Sequence, residues 1–488
     1  MPALCSPFPI DRSIRMRWLL VIALAKVFWC AVFILQRNNE WPQEFIVGDV
    51  ALYPTESQGY YKPMETLLTK GYYNGMCRMP GLLPFYFPLR LFLPETIAQM
   101  CMIPLQVLFD ILATAALGIL AARIFQSIRA LHITYALACI STFTAVRNNF
   151  LLSDSLCISV LILSLYSFSN YLILQRTSSL MLTAIGLCIA LFLRPAMLVM
   201  VPAVAFLIVI SQGLTRRSLS MCLLLLLPSV LALSAWTLRN QITFGRTVVL
   251  LAPLGECQPQ ITPDFAAIRG WIMASGGDYQ PWAAGGESYW FFDSPAERAM
   301  PFEADDFAAG YDSTTLLNLK SDYHLLHSGK LTSADSILLE QSIIERSEFC
   351  REAYIREHPV KYYLLNKLHF ARMILFPGRI DDLPFPAFDR MNLFQKAVKI
   401  GSYLAIPLLS IVSLLASAFW LYRRKWNYML WMCIPMGMVL EHAFIGFVEQ
   451  RYLATAYPFF LMAIAGFIAT IFDTRKSNPA FDRSVSSS

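Results

Sequence analysis

Apolar residues run in long unbroken stretches near positions 16 to 36, 96 to 121, 131 to 147, 150 to 174, 178 to 193, 195 to 212, 219 to 238, 398 to 422, 427 to 448 and 452 to 472. A helix needs about 20 such residues to cross a bilayer, so the pattern predicts about ten spans. The stretch from Ser178 to Ser211 is interrupted only by Arg194-Pro195. As one helix it would be roughly 50 Å long in a bilayer of roughly 30 Å, which favours two short spans joined by a tight turn. The first run follows Arg12, Arg15 and Arg17 as a signal peptide would, but it is about 20 residues long and lacks a small-residue cleavage site, so it is expected to stay as the first span.

Cations sit in alternate loops: Arg123 and Arg129, then Arg176, then Arg216 and Arg217, then Arg423, Arg424 and Lys425, then Arg475 and Lys476. All fall on the side of the N-terminal arginines. The positive-inside bias then places residues 1–15 and the Ser-rich tail 473–488 in the cytoplasm, the tail disordered, and leaves two long segments outside. The first, at 37–95, is punctuated by Pro54, Gly59, Pro63, Gly71, Gly75, Pro80, Gly81 and Pro84, which predicts short helices lying on the membrane. The second, at 239–397, is long enough for a small outer domain. Within it Ser333 to His358 reads as one amphipathic helix stopped by Pro359, Val360 to Phe376 as an interfacial piece, and Gly270 to Tyr311 as loop. Transmembrane segments thus occupy 16–238 and 398–472.

Composition supports this division. The 488 residues are 56% hydrophobic and only 15% charged, against about 25% charged in a soluble domain. The net charge of +6 is spread over helix ends and forms no single patch, which excludes nucleic-acid binding as the main role. Most of the eleven cysteines lie inside apolar runs with no CxxC spacing and read as small core residues. Cys77, Cys257 and Cys350 fall in outer segments, where a disulfide is chemically allowed and the pairing is open.

Arginines on the outer side break the charge bias and need a reason: Arg78, Arg147, Arg194, Arg239 and Arg451. A guanidinium donates two parallel hydrogen bonds to phosphate, so the group fits an anionic lipid headgroup, although single arginines at helix ends also snorkel. Carboxylates gather on the same side: Asp49, Asp154, Glu441 and Glu449. Transfer of a sugar from a phosphate carrier to a hydroxyl needs a carboxylate base on the acceptor and cations on the departing phosphate. Asp49 and Asp154 are the catalytic candidates, and Arg78, Arg194, Arg239 and Arg451 the phosphate-binding ones. Tyr53, Tyr60, Glu441 and His442 are candidates for sugar or acceptor contact. Lys26 and Asp110 are ionisable groups within spans, expected to pair or to line a small cavity. His324 and His327 read as surface histidines.

Several segments carry a family likeness. Gly48-Asp49, Tyr53, Gly59, Leu67, Gly71-Tyr72 and Arg78-Met79-Pro80-Gly81 come first; then Leu152-Ser153-Asp154 with Leu193-Arg194-Pro195; then Trp236-Thr237-Leu238-Arg239-Asn240 running to Phe244-Gly245-Arg246; and last Tyr354 to Pro359 and Glu449-Gln450-Arg451-Tyr452 with Pro458. In order and placement they resemble the GT-C superfamily of membrane glycosyltransferases, in the branch of protein O-mannosyltransferases and the lipid A aminoarabinose transferase. The resemblance implies an inverting transfer from a polyprenyl-phosphate sugar, with Asp49 as base and Arg239 and Arg451 as phosphate contacts. It also implies a glycan, lipid or protein acceptor, and a bacterial inner-membrane enzyme whose active site faces the periplasm. Val50 stands where many members have Glu and Met79 where they have Pro, which leaves the acceptor class and a divalent metal open.

The expectation is therefore an α-helical polytopic membrane protein of GT-C-like fold with a small mixed outer-side domain, acting as a glycosyltransferase. An O-antigen ligase or polymerase and a lipid or sugar transporter are the alternatives. The first would place its largest outer loop late in the chain and lack the early loop with Asp49, and the second calls for inverted repeats and a series of midplane charges that the sequence does not show.

Overall fold

The computed structural model describes residues 4–40, 54–251, 262–276, 307–376, 385–386, 388–445 and 450–476, and the chain divides into two compact units. The first comprises Met1–Leu251, Phe376–Met438 and Leu453–Ser488; the second comprises Ala252–Leu375 and Val439–Tyr452.

In the first unit the helices are α1 (Arg12–Glu40), α2 (Pro54–Lys70), α3 (Leu83–Phe92), α4 (Glu95–Phe125), α5 (Ile128–Ile140), α6 (Thr142–Ala145), α7 (Asp154–Leu174), α8 (Thr177–Leu193), α9 (Met200–Gln212) and α10 (Arg216–Phe244). Two 3-10 turns, Val146–Asn149 and Pro195–Val199, follow α6 and precede α9. Helices ending at polar loops are stopped by local chemistry. Gln126 and Gln175 take left-handed φ values of 50° and 53° after α4 and α7, and Thr215 and Ser218 form a reciprocal capping box that starts α10.

The apolar runs of the sequence are helical, and among the described residues fewer helices than the about ten expected meet the length and hydropathy needed to cross a membrane. Seven of the described helices are long and apolar enough to cross a membrane, or eight if one bent pair counts as a single span. The run at 131–147 bends by 55° between Ile128–Ile140 and Thr142–Asn149, and the run at 178–193 gives a helix of only 17 residues. That short helix still runs the length of its neighbours. Gln175, after α7, accepts from Gln212 at the end of α9, while Arg194, after α8, meets Asp154 at the start of α7.

The interior is built largely by α4 and α7, more than half of whose residues are buried, while α1 and α10 expose many apolar side chains, as helices facing lipid do. Close crossing depends on small residues. A Cβ at Gly186 would meet the Ser164 hydroxyl of α7, which would have to turn away from its place against the helix.

The second unit contains α11 (Pro263–Ser275), α12 (Ser313–Leu326), α13 (Ser333–Glu357) and α14 (Asn366–Leu375), preceded by a π turn at Lys361–Leu365. Phe265, Ile268, Trp271, Leu319, Ile343 and Cys350 form its core. The amphipathic helix expected from Ser333 is present, capped by Thr332, which accepts from the Asp335 amide. No strand occurs among the described residues of this unit, so they are helical where a mixed domain was expected.

After it come α15 (Leu393–Tyr422), α16 (Trp426–Ile445) and α17 (Gln450–Lys476). Asn392 and Gln395 cap α15 reciprocally, and Gln395 also donates to Gln36 of α1 at 2.5 Å.

Candidate functional site

A short irregular stretch between α2 and α3, residues 71–82, assembles the polar groups at one end of the first unit. Gly71 ends α2 with a φ of 77°, a left-handed value that a side chain would strain. Tyr73 donates to the Arg78 carbonyl at 2.9 Å and closes the stretch into a loop. The Arg78 guanidinium lies 5.0 Å over the Tyr60 ring, and the Tyr60 hydroxyl is 2.9 Å from the Ser153 hydroxyl, one residue before Asp154. Gly81 packs so tightly on the end of α8 that a Cβ would fall within the backbone of Phe192 and Leu193, beside Arg194. Glu65 holds the flanking helices together, accepting from Tyr86 at 2.6 Å and from Arg90 at 3.0 Å.

Burial pushes the Tyr73 phenol well above its ordinary range, against the pull of the nearby Arg239 and Arg78 guanidiniums. Burial raises Tyr61 in the same way, and Tyr86 is raised by burial and by its bond to Glu65. These phenols are neutral hydrogen-bond donors at any physiological pH.

Asp154 and Arg194 form a buried ion pair, each less than a tenth exposed. The carboxylate opens α7 and the guanidinium follows α8, so each sits at the helix end whose dipole favours its charge. The two candidates, 40 residues apart, are brought together and neutralise one another.

Arg239, near the end of α10, is held differently. Its Nη1 donates to the Gly75 carbonyl at 2.7 Å and to Asn240 Oδ1 at 2.6 Å, and its guanidinium carbon lies 5.3, 5.0 and 4.9 Å from the ring centroids of Tyr73, Trp236 and Phe244. Trp236 and Asn240 are fixed in turn by the Leu250 and Val248 carbonyls. The Nη2 atom is fully buried without a hydrogen-bond partner, and among the described residues no carboxylate pairs with Arg239. The result is a preorganised, uncompensated cation in an aromatic collar.

Deeper in the unit, Lys26 of α1 and Asp110 of α4 pair at 2.9 Å, as expected of intramembrane charges. Asp110 also accepts from Asn148 at 2.8 Å, and Asn148 accepts from Ser155. Gln106 donates to the carbonyls of Asn148 and Phe150, at 3.3 and 3.0 Å. Arg147 is buried with its guanidinium 5.6 Å over Phe143. This network ties the bent segment 141–150 to the start of α7. Sequence reading weighed Lys26, Asp110 and Arg147 but missed Asn148 and Gln106, whose only signal is that they are amides inside apolar runs. It also missed Tyr73 as a wall of the Arg239 collar.

Asp49, Tyr53 and Glu449, and the side chain of Arg451, lie outside the described residues. Glu441 and His442 belong to the second unit, where His442 is buried and stacked on Tyr452 at 4.5 Å. His327, read as a surface residue, meets buried Asp264 at 3.0 Å with 38% of its side chain exposed. Among the described residues no three His, Cys, Asp or Glu side chains group as metal ligands, and Asp154, engaged by Arg194, is a poor donor to a cation. Cys77 is disulfide-bonded, whereas Cys350 is a free, buried thiol and drops out of the candidate pairs; Cys257 lies outside the described residues.

No family model matches the sequence, and no curated protein matches it. Among solved structures, the archaeal oligosaccharyltransferase AglB from Archaeoglobus fulgidus, determined in complex with an inhibitory peptide and a dolichol-phosphate, is similar with a TM-score of 0.46 and 12% identity. The alignment covers 96% of this chain and 52% of that one, so the chain spans about half the length of that enzyme.

Proposed function

We propose that this protein is a membrane glycosyltransferase that moves a sugar from a polyprenyl-phosphate donor to an acceptor hydroxyl on the outer side of the membrane. The observation that carries the reading is Arg239: an arginine that no carboxylate pairs with among the described residues, its guanidinium fixed by Gly75 and three aromatic rings, beside the stretch that also presents Arg78. A fixed cation at the membrane end of a span suits the phosphate of a lipid carrier, because the charge-assisted bonds form without reorganisation. The Asp154–Arg194 pair then acts as a support that positions the start of α7 under Tyr60, and the role of base falls to Asp49 in this reading.

In this mechanism Asp49 takes the proton of the acceptor hydroxyl as its oxygen attacks the anomeric carbon. The bond from that carbon to the phosphate oxygen breaks on the opposite face, which inverts the configuration, and Arg239 with Arg451 bears the charge left on the phosphate. The sugar and the acceptor are read by groups beyond these charges.

The test is purified protein in nanodiscs, incubated with a panel of polyprenyl-phosphate sugars and membrane extract as acceptor, with donor consumption followed by mass spectrometry. Wild type consumes one donor class and Asp49→Asn none, with equal insertion of both. Consumption of no donor by wild type overturns the reading, and near-normal turnover by Asp49→Asn removes Asp49 from its role.

A further inference from the structure

At the opposite end of the first unit lies a second arrangement of cations that the transferase reading does not use. Residues 4–11, ahead of α1, run as a strap across the helix ends. Trp431 donates to the Leu4 carbonyl at 3.0 Å, the Ser6 amide to the Arg123 carbonyl at 3.3 Å, and Gln126 to the Ser6 carbonyl at 3.1 Å. Leu4 and Cys5 are buried beneath these bonds. Between the strap and the ends of α4 and α7 is an open cavity of about 440 Å³. Phe8, Ile10 and Ile119 supply apolar wall, and Arg15, Arg123 and Tyr166 line the rest with Pro9 and Asp11.

The charges in this cavity do not cancel. Asp11 is committed to α1, accepting the Ser13 amide at 2.8 Å. Arg123 is braced by neutral acceptors, Ser169 Oγ at 2.7 Å and Asn170 Oδ1 at 2.8 Å, with its guanidinium 4.9 Å over the Tyr166 ring. Arg15 is exposed, and among the described residues neither arginine pairs with a carboxylate. Two arginines thus face one carboxylate across a mainly polar cavity with an apolar wall, at the end of the unit where Arg129 and the end of α17 also lie. Its volume falls in the range of small-ligand sites.

We propose that this cavity binds the phosphate headgroup of an anionic membrane lipid, with Arg15 and Arg123 on the phosphate and Phe8, Ile10 and Ile119 against the start of the acyl region. The apolar wall and the location at helix ends favour a lipid over soluble phosphate, and a guanidinium pair favours an anionic headgroup over a zwitterionic one, whose own cation would meet Arg15. The strap completes the site, since Phe8, Pro9, Ile10 and Asp11 line it.

The experiment is native mass spectrometry of the full chain, delipidated in neutral detergent and titrated with phosphatidylglycerol or phosphatidylcholine, with inorganic phosphate as the soluble probe. Phosphatidylglycerol adducts are expected to bind roughly tenfold more tightly than phosphatidylcholine adducts, and Arg15→Gln to abolish most of that difference. Arg15→Gln removes an exposed side chain and should leave thermal unfolding unchanged; Arg123→Gln, which also loses the Ser169 and Asn170 contacts, serves as a second variant. Equal binding of the two lipids, or an unchanged preference in Arg15→Gln, overturns the proposal. Binding of inorganic phosphate that depends on Arg15 with no lipid preference assigns the cavity to a soluble anion and overturns the lipid. None of these readouts depends on sugar transfer, so they stand whatever the activity assay gives.

Discussion

The residues that matter most here are charges placed where charge is costly, and their worth depends on whether a partner compensates them. Arg239 has aromatic rings and a carbonyl but, among the described residues, no carboxylate, so its electrostatic capacity remains for a ligand. Arg239→Ala is expected to weaken donor use by about tenfold or more, the loss of one charge-assisted contact, while expression and unfolding temperature stay close to wild type. Donor titration of the purified variant checks this; parallel loss of fold and activity would assign Arg239 to structure. Lys26 and Asp110 are the opposite case. Removing Lys26 leaves a buried carboxylate without its counter-charge, at a cost of about 3–5 kcal/mol, whereas Lys26→Met combined with Asp110→Leu should recover most of the loss. A double-mutant cycle on unfolding in detergent measures the coupling. The sequence identified all three of these residues because each is a charge in or beside an apolar run. It could not tell Arg194 from Arg239, since only the hairpin of α7 and α8 reveals that one is neutralised by Asp154 and the other is not.

At the scale of elements, helices were legible and their interruptions were not. A run of apolar residues marks a span whatever its neighbours do, so α4, α7, α10 and α15 follow from hydropathy alone. The bend after Ser141 falls in a run that reads as continuous, and it exists because Asn148, Asp110 and Gln106 offer hydrogen bonds that a straight helix would forgo. The stretch from Gly71 to Leu82 was legible only as a place where regular structure stops. Its contact with α8 depends on Gly81, and Gly81→Ala would drive a methyl group into the backbone of Phe192 and Leu193. Because backbone yields less readily than a side-chain tip, the substitution is expected to cost about 1–3 kcal/mol and to dislodge Arg78 from Tyr60. Thermal unfolding of the variant, with donor binding alongside, tests both parts; an unchanged melting temperature would show that the loop gives way freely.

For the whole molecule, the ends of the first unit constrain topology. The strap ahead of α1 bonds to Arg123, and Asp473 near the end of α17 bonds to Ser127 and Arg129, so both extremities meet the same turn between α4 and α5. Reporter fusions at either extremity are expected to report the same side of the membrane. The second unit offers a separate check in Cys350, whose thiol burial pushes up to about 11 against the pull of Arg346. A raised thiol pKa keeps the proton on sulfur, so native Cys350 should resist maleimide at pH 7.5 and react only as the pH nears that value or the unit unfolds. Mass-spectrometric mapping of the labelled chain would decide it. The division into two units was readable as an apolar chain with a long polar insert, but the all-helical character of the insert's described part was not, because Gly- and Trp-rich stretches hide its periodicity. The bend at 141–149 has a further consequence for biogenesis. The buried carbonyls of Asn148 and Phe150 at its end are satisfied by Gln106, a residue of the preceding span, so the segment can adopt its final shape only after α4 has left the ribosome and entered the membrane. Synthesis from the N-terminus at about 5–20 residues per second delivers the glutamine first, and the order of translation thereby sets the order of assembly.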